Sequence, residues 1–163
     1  EALHMLELSP EELQKALNDV RREAITNDYQ NWLDSHKAFP GVSNRLNQLE
    51  EEGIDLVVLT TKGAEFTSRL LASFAIKSKF IYGYESGSKT DVLLRLSKDR
   101  IIKGFIEDRR ATLEKVINTP GLTSIPCFLA SWGYLKPNDL TNLPSNISLL
   151  EPKIFATPLA NWN

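Results

Sequence analysis

Three short stretches of this chain combine residue types that could handle a phosphoryl group. An apolar run closes on Thr60-Thr61-Lys62-Gly63, and a solitary Lys89 follows in Glu85-Ser86-Gly87-Ser88-Lys89-Thr90-Asp91. A second apolar run then closes on two adjacent acids, Glu107-Asp108. Phosphoryl transfer asks chiefly for charge neutralisation and in-line positioning, and a hydroxyl donor, an ammonium and a carboxylate-held divalent cation supply them. A hydroxyl at a strand end, ahead of a Gly-containing turn into a helix, can donate to a phosphate oxygen alongside backbone N–H groups.

Each piece also has an ordinary reading. Thr60 and Thr61 serve equally as helix caps, and Lys89 as a solvent-facing lysine. Glu107-Asp108 is more demanding, because adjacent carboxylates repel one another unless a cation or an arginine neutralises them. Mg²⁺ would do so, taking a few carboxylate oxygens together with water and substrate phosphate. The competing reading pairs the acids with Arg109 and Arg110, or uses Asp108 to cap the next helix. His4 and His36 lie far apart and read as structural, without the third partner a metal site or a nucleophile–base pair needs. Cys127, inside the apolar run from Ile125 to Leu129, reads as a buried inert thiol. Trp32, Trp132 and Trp162 read as core or interface anchors.

The elements that must position these residues alternate between helix and strand. Ser9-Pro10-Glu11-Glu12 combines an N-cap, a proline at the first helical position and the acid of a capping box. The helix it opens carries Leu13, Ala16, Leu17, Val20 and Ala24, then Trp32 and Leu33, on one apolar stripe, interrupted near Asn27-Asp28. Phe39-Pro40-Gly41-Val42 opens a second helix, and Gly53 is placed to end it in a left-handed conformation. Ile54 to Leu59 is a continuous aliphatic run, the mark of a buried parallel strand. The pattern then repeats: a helix from Ala64 to Phe74, a strand at Phe80-Ile81-Tyr82, and a helix after Ser88. A strand at Ile101 to Ile106, a helix from Arg109 to Ile117 and a strand at Ile125 to Leu129 follow. The Pro- and Asn-rich tail reads as mostly irregular, with one short helix. Four strands separated by helices imply an α/β fold with a doubly wound parallel sheet, whose ligand site lies at the carboxyl ends of the strands.

Bulk properties narrow the function classes. A chain of 163 residues buries one ordinary core. A net charge of -2 with scattered basic residues gives no footprint for nucleic acid. No run approaches the roughly 18 to 20 apolar residues of a membrane span. One cysteine excludes an intrachain disulfide and fits a reducing cytoplasm. The opening Glu1-Ala2-Leu3-His4, without an initiator Met or the regions of a signal peptide, reads as a cut end.

Taken in order, these pieces resemble the haloacid dehalogenase-like (HAD) hydrolase superfamily, from about Phe39 to Ser131. The stretches Asp55-Leu56-Val57-Val58-Leu59-Thr60-Thr61-Lys62, Lys89 and Phe105-Ile106-Glu107-Asp108-Arg109 look like its second, third and fourth motifs. Phe-Ile-Glu-Asp-Arg and Ser131-Trp132-Gly133-Tyr134 are also similar to a branch of the superfamily associated with cyanobacteria and plants. The resemblance implies a Mg²⁺-dependent phosphatase acting on a small phosphorylated metabolite. In it, Thr60 would bind the transferred phosphoryl oxygen, and Lys89 would hold the nucleophile and the phosphoryl charge. Asp108 with Glu107 would anchor Mg²⁺, and Thr61 and Lys62 would touch the substrate.

One part of the family pattern is missing. The family's nucleophile and its acid form an Asp-x-Asp at the end of a first, central strand, and this sequence contains no such motif. The chain alone is therefore expected to be inactive. That strand lies between the strands ending at Thr60 and Asp108, so its absence would expose two inner edges. Another segment, upstream in the same protein or from another chain, should fill the gap. On this reading residues 1–38 belong to a helical cap and 39–163 to the core. The alternative is a non-catalytic module of the same fold, acting through contacts of its cap or tail.

Overall fold

The computed structural model describes residues 9–162, so the reading of His4 falls outside them. The chain divides into two compact units, residues 1–37 and 38–163.

In the first unit, helix α1 (Pro10–Asn27) begins as its sequence requires. The Ser9 hydroxyl accepts the Glu12 N–H, and the Glu12 carboxylate accepts the Ser9 N–H. The helix stops at Asp28, whose carboxylate turns to cap α2 (Tyr29–Asp34) by accepting the Asn31 N–H. Trp32 is buried, and the His36 ring nitrogen lies 2.8 Å from the Trp32 carbonyl, in keeping with a structural role. The apolar stripe is not buried along its length. Leu17 and Val20 are 42% and 63% exposed, whereas Asn18 is buried. Asn18 tolerates burial because its carbonyl oxygen accepts from Gln14 and Arg21 one helical turn away on either side.

The second unit is α/β with parallel strands throughout. Helix α3 (Val42–Gln48) leads through Gly53, at φ +72°, into β1 (Val57–Leu59). Then come α4 (Ala64–Ser73), β2 (Phe80–Tyr82), α5 (Lys89–Leu96), β3 (Phe105–Glu107), α6 (Arg110–Ile117) and β4 (Cys127–Ala130). A fifth strand, β5 (Ile147–Leu150), and a short helix, α7 (Pro152–Phe155), complete the order. The tail was expected to be irregular apart from a short helix, but Ile147 and Leu150 turn inward while the two residues between them stay exposed, and the segment pairs with β4.

The strands form two sheets rather than one. β1 pairs with β2, with Val58 opposite Ile81. β3, β4 and β5 form the other sheet, with Ile106 opposite Phe128 and Cys127 opposite Ile147. Successive side chains of a strand point to opposite faces, and this sheet buries both. Phe105, Cys127, Leu129 and Ile147 pack with Leu113, Val116 and Ile117 of α6. Phe128 and Leu150 pack with Phe155 and Trp162, with Val42 and Leu46 of α3 against them. The sheet is thus doubly wound.

β1 and β3 do not pair with each other. Between them runs a cleft of about 670 Å³. No segment among the described residues fills the place between β1 and β3. The cleft has the lining a buried strand would need. Val57 and Val58 line one edge and Gly104 and Ile106 the other, with Leu93 and Leu96 of α5 and Val42 and Leu46 of α3 also on its walls.

Candidate functional site

The carboxyl ends of β1 and β3 carry the residues singled out in the sequence. Lys89 is the first residue of α5, fixed by the capping box of that helix. Ser88 accepts the Asp91 N–H at 3.2 Å, and Asp91 accepts the Ser88 N–H at 3.3 Å. The Ser88 hydroxyl also donates to the Asp91 carboxylate at 2.6 Å, and these bonds hold Asp91 below the usual carboxylate range.

So placed, Lys89 forms an ion pair with Glu107 at the end of β3. Glu107 is 8% exposed at its side chain and Lys89 23%, so neither reading of an isolated surface lysine nor of Glu107 neutralised by arginine side chains describes the site. The second Glu107 oxygen accepts the Arg109 N–H at 3.2 Å. Glu107 is thereby occupied on both oxygens. Asp108 is half-buried, and its Oδ2 accepts the Tyr134 N–H at 3.3 Å. It does not cap α6, whose N-cap is Arg109 without a side-chain bond. Lys89, Glu107 and Asp108 all line one end of the cleft.

Thr60 lies one residue beyond β1, half-buried. Its hydroxyl oxygen accepts the Lys62 N–H at 3.1 Å, which tightens the turn and leaves the hydroxyl proton for an acceptor outside it. It is not the cap of α4, because Gly63 holds that position. Glu85 supplies the missing acceptor, taking the Ala64 N–H at 2.9 Å, and the Tyr84 N–H donates to the Lys62 carbonyl at 3.1 Å. The loop ahead of Lys89 thus holds the turn that carries Thr60. Thr61 is exposed and Lys62 half-buried, and no hydrogen bond among the described residues joins either to the Lys89–Glu107–Asp108 group.

Mg²⁺ can be tested against these donors. The described residues contain no group of three or more His, Cys, Asp or Glu side chains able to hold a metal ion. Glu107 is committed to Lys89. Asp108 keeps one carboxylate oxygen without a protein partner, and Mg²⁺ commonly takes one or two carboxylates with its remaining positions on water and phosphate. The fit therefore rests on Asp108.

Sequence reasoning missed two contributors. Gly133 lies so close to Asp108 that an added Cβ would stand 2.1 Å from the Asp108 Cβ, and nothing in the order of residues announces that approach. Arg110, which only the competing reading paired with the acids, bonds Glu114 and a distant loop. Cys127 is buried, and burial pushes its thiol up to about 11, which matches its reading as inert.

A model of the haloacid dehalogenase-like hydrolase family matches residues 1–116 of the chain. The protein belongs to that family. The match spans Thr60, Lys89, Glu107 and Asp108 and ends before β4. No curated protein and no solved structure matches the chain. Among the described residues, no helix is long and apolar enough to cross a membrane.

Proposed function

We propose that this chain carries the phosphoryl-binding part of a Mg²⁺-dependent phosphatase for small phosphorylated metabolites. One observation supports the reading above others: the Lys89–Glu107 ion pair and Asp108 meet at one end of an apolar cleft bounded by two parallel strands, with Thr60 at the end of the first. In this reading the first unit is part of a helical cap, and the single buried Cys127 suits a reducing cytoplasm.

The chemistry divides among the residues as follows. Thr60 donates its hydroxyl proton to a phosphoryl oxygen, while its oxygen stays engaged with the Lys62 N–H. Lys89, oriented by Glu107, neutralises charge at the reacting group. Thr61 and Lys62 contact the rest of the substrate. Asp108 would hold Mg²⁺, which when bound supplies charge neutralisation of the phosphoryl oxygens. The nucleophilic carboxylate comes from the strand that fills the cleft. A strand running parallel to β1 and β3 would end beside Lys89, so an acid at its carboxyl end would meet the ammonium. That strand, upstream in the same protein or on another chain, is the partner of this reading.

The test is turnover of a phosphomonoester by the strand-completed protein with Asp108→Asn. Loss of Mg²⁺-dependent turnover is expected. Unchanged turnover would remove Asp108 from its role. A non-catalytic module would show no Mg²⁺-dependent turnover before or after the substitution.

A further inference from the structure

Arg110 follows the acid pair by two residues, yet its guanidinium turns away from both acids. Nε donates to Glu114 Oε1 at 2.7 Å. Nη1 donates to the carbonyls of Asn138, Asp139 and Thr141 at 3.2, 3.3 and 2.6 Å, and Nη2 to that of Asn142 at 3.0 Å. These carbonyls lie in and just after the 3₁₀ turn Pro137–Leu140; that of Asn138 also accepts the Thr141 N–H at 3.3 Å and the Thr141 hydroxyl at 3.0 Å. A planar fork of donors can satisfy several such acceptors at once, and a lysine ammonium cannot cover the same spread.

The stapled loop belongs to the segment that meets Asp108. Leaving β4, its Ser131 N–H donates to the Leu150 carbonyl at 3.0 Å and its Gly133 N–H to the Ala130 carbonyl at 3.3 Å. The next N–H, of Tyr134, reaches Asp108 Oδ2. Contact is close enough that only glycine fits at 133. From Leu135 to Asp139 the backbone hydrogen bonds are local: Leu135 N–H to the Gly133 carbonyl, Lys136 N–H to Asp139 Oδ2 and Asp139 N–H to the Lys136 carbonyl. Beyond the packing of Leu135 and Leu143 on the core, the far end of the segment is tied down by Arg110. The Tyr134 side chain, 92% exposed, contributes almost no anchorage.

We infer that Arg110 is a positioning residue for Asp108: by stapling residues 138–142 it holds the Gly133–Tyr134 peptide against the carboxylate and fixes the direction of its free oxygen. The inference rests on the proposed role of Asp108 as the cation-holding group, and its test separates the two. The Tyr134 N–H is the partner one step removed from the carboxylate, and losing such a partner typically alters metal affinity by about ten-fold or more.

The experiment compares the full chain with Arg110→Met, Arg110→Lys and Asp108→Ala. Amide hydrogen exchange is read by NMR, and Mn²⁺ binding is read by water-proton relaxation. Both arginine variants should speed exchange of the Tyr134 amide by about ten-fold while β4 amides keep their protection, and both should weaken Mn²⁺ by about ten-fold. Asp108→Ala should speed Tyr134 exchange and abolish specific Mn²⁺ binding. Should Arg110→Met lose the β4 protection, Arg110→Lys, which keeps the stem and the charge, decides alone. Tyr134 exchange unchanged in the arginine variants would overturn the inference. Mn²⁺ binding indifferent to Asp108→Ala would overturn the cation role instead, and Tyr134 exchange would still judge the staple.

Discussion

The Lys89–Glu107 ion pair lends itself to a double-mutant cycle whose magnitude follows from its burial. Two unit charges about 4 Å apart at an effective dielectric near 20 attract by about 4 kcal/mol before desolvation is subtracted. Removing one partner of a fully buried pair costs about 3 to 5 kcal/mol, because the other charge is left uncompensated. Here Glu107 is 8% exposed at its side chain and Lys89 23%, so water reaches the lysine more readily than the acid. Lys89→Met should therefore cost about 3 kcal/mol, since it strands a carboxylate whose other support is the Arg109 N–H. Glu107→Gln should cost about 2 kcal/mol, because the freed ammonium can hydrate and the amide oxygen can still accept a hydrogen bond. The double variant should be about 2 kcal/mol less destabilised than the sum of the singles. Urea unfolding of the four proteins measures all three numbers. Additivity within about 0.5 kcal/mol, or Glu107→Gln costing more than Lys89→Met, would refute the reasoning.

Three further outcomes can be checked. Glu52 is held below the usual carboxylate range by the Arg45 guanidinium and the Leu159 N–H, so its contribution is present above the unfolded-state value and fades as pH falls through the lower folded value. Glu52→Gln should accordingly lower the unfolding midpoint at about pH 7 and converge on the parent once the pH lies below the lowered folded value, whereas a gap that persists in strong acid would contradict the assignment. Ala75 sits at φ +53°. Ala75→Gly should leave stability unchanged or raise it by up to about 1 kcal/mol in urea unfolding, where a loss above that would show the left-handed backbone carries no strain. Cys127, buried with its thiol raised to about 11, should react with a disulfide reagent only as fast as the protein opens, and rapid labelling of the folded chain would place the thiol elsewhere.

The parts of the fold legible in the sequence were those decided locally. Ser9 with Glu12 and Ser88 with Asp91 announce helix starts through side chains three residues apart, and Gly53 announces a stop through its backbone freedom. The Val57–Leu59 and Cys127–Ala130 strands were visible as aliphatic runs. β5 was not, because Ile147 and Leu150 are separated by two exposed residues and its flanks are rich in Pro and Asn. The burial along α1 was not legible because spacing gives a stripe but not the side that is covered, and Asn18 meets its hydrogen bonds within its own helix.

Legibility of the site divides in the same way. Thr60, Lys89, Glu107 and Asp108 stood out by type and order, since Glu107 ends a strand, Lys89 starts a helix, and Thr60 and Asp108 each follow a strand by one residue. Their pairing did not, for adjacency along the chain suggested Arg109 and Arg110 as partners of the acids. The fold instead brings Lys89 from 18 residues away and turns the Arg110 side chain to the loop after β4. Arg45 is a similar case. It is buried on α3, with Nε donating to the Phe155 carbonyl and Nη1 paired with Glu52, and it lies over the Trp162 ring. Its role as anchor of the carboxyl-terminal segment depends on residues more than a hundred positions away.

The central claim is that a strand lodged between β1 and β3 completes a phosphoryl-transfer site built on Lys89 and Asp108. Its most direct test is Mg²⁺-dependent hydrolysis of a phosphomonoester by this chain alone and by the chain joined to an apolar strand ending in Asp-x-Asp. No turnover is expected from the chain alone, and turnover from the joined protein that disappears in both Lys89→Met and Asp108→Asn. Turnover by the chain alone, or turnover by the joined protein that survives either substitution, would contradict the account.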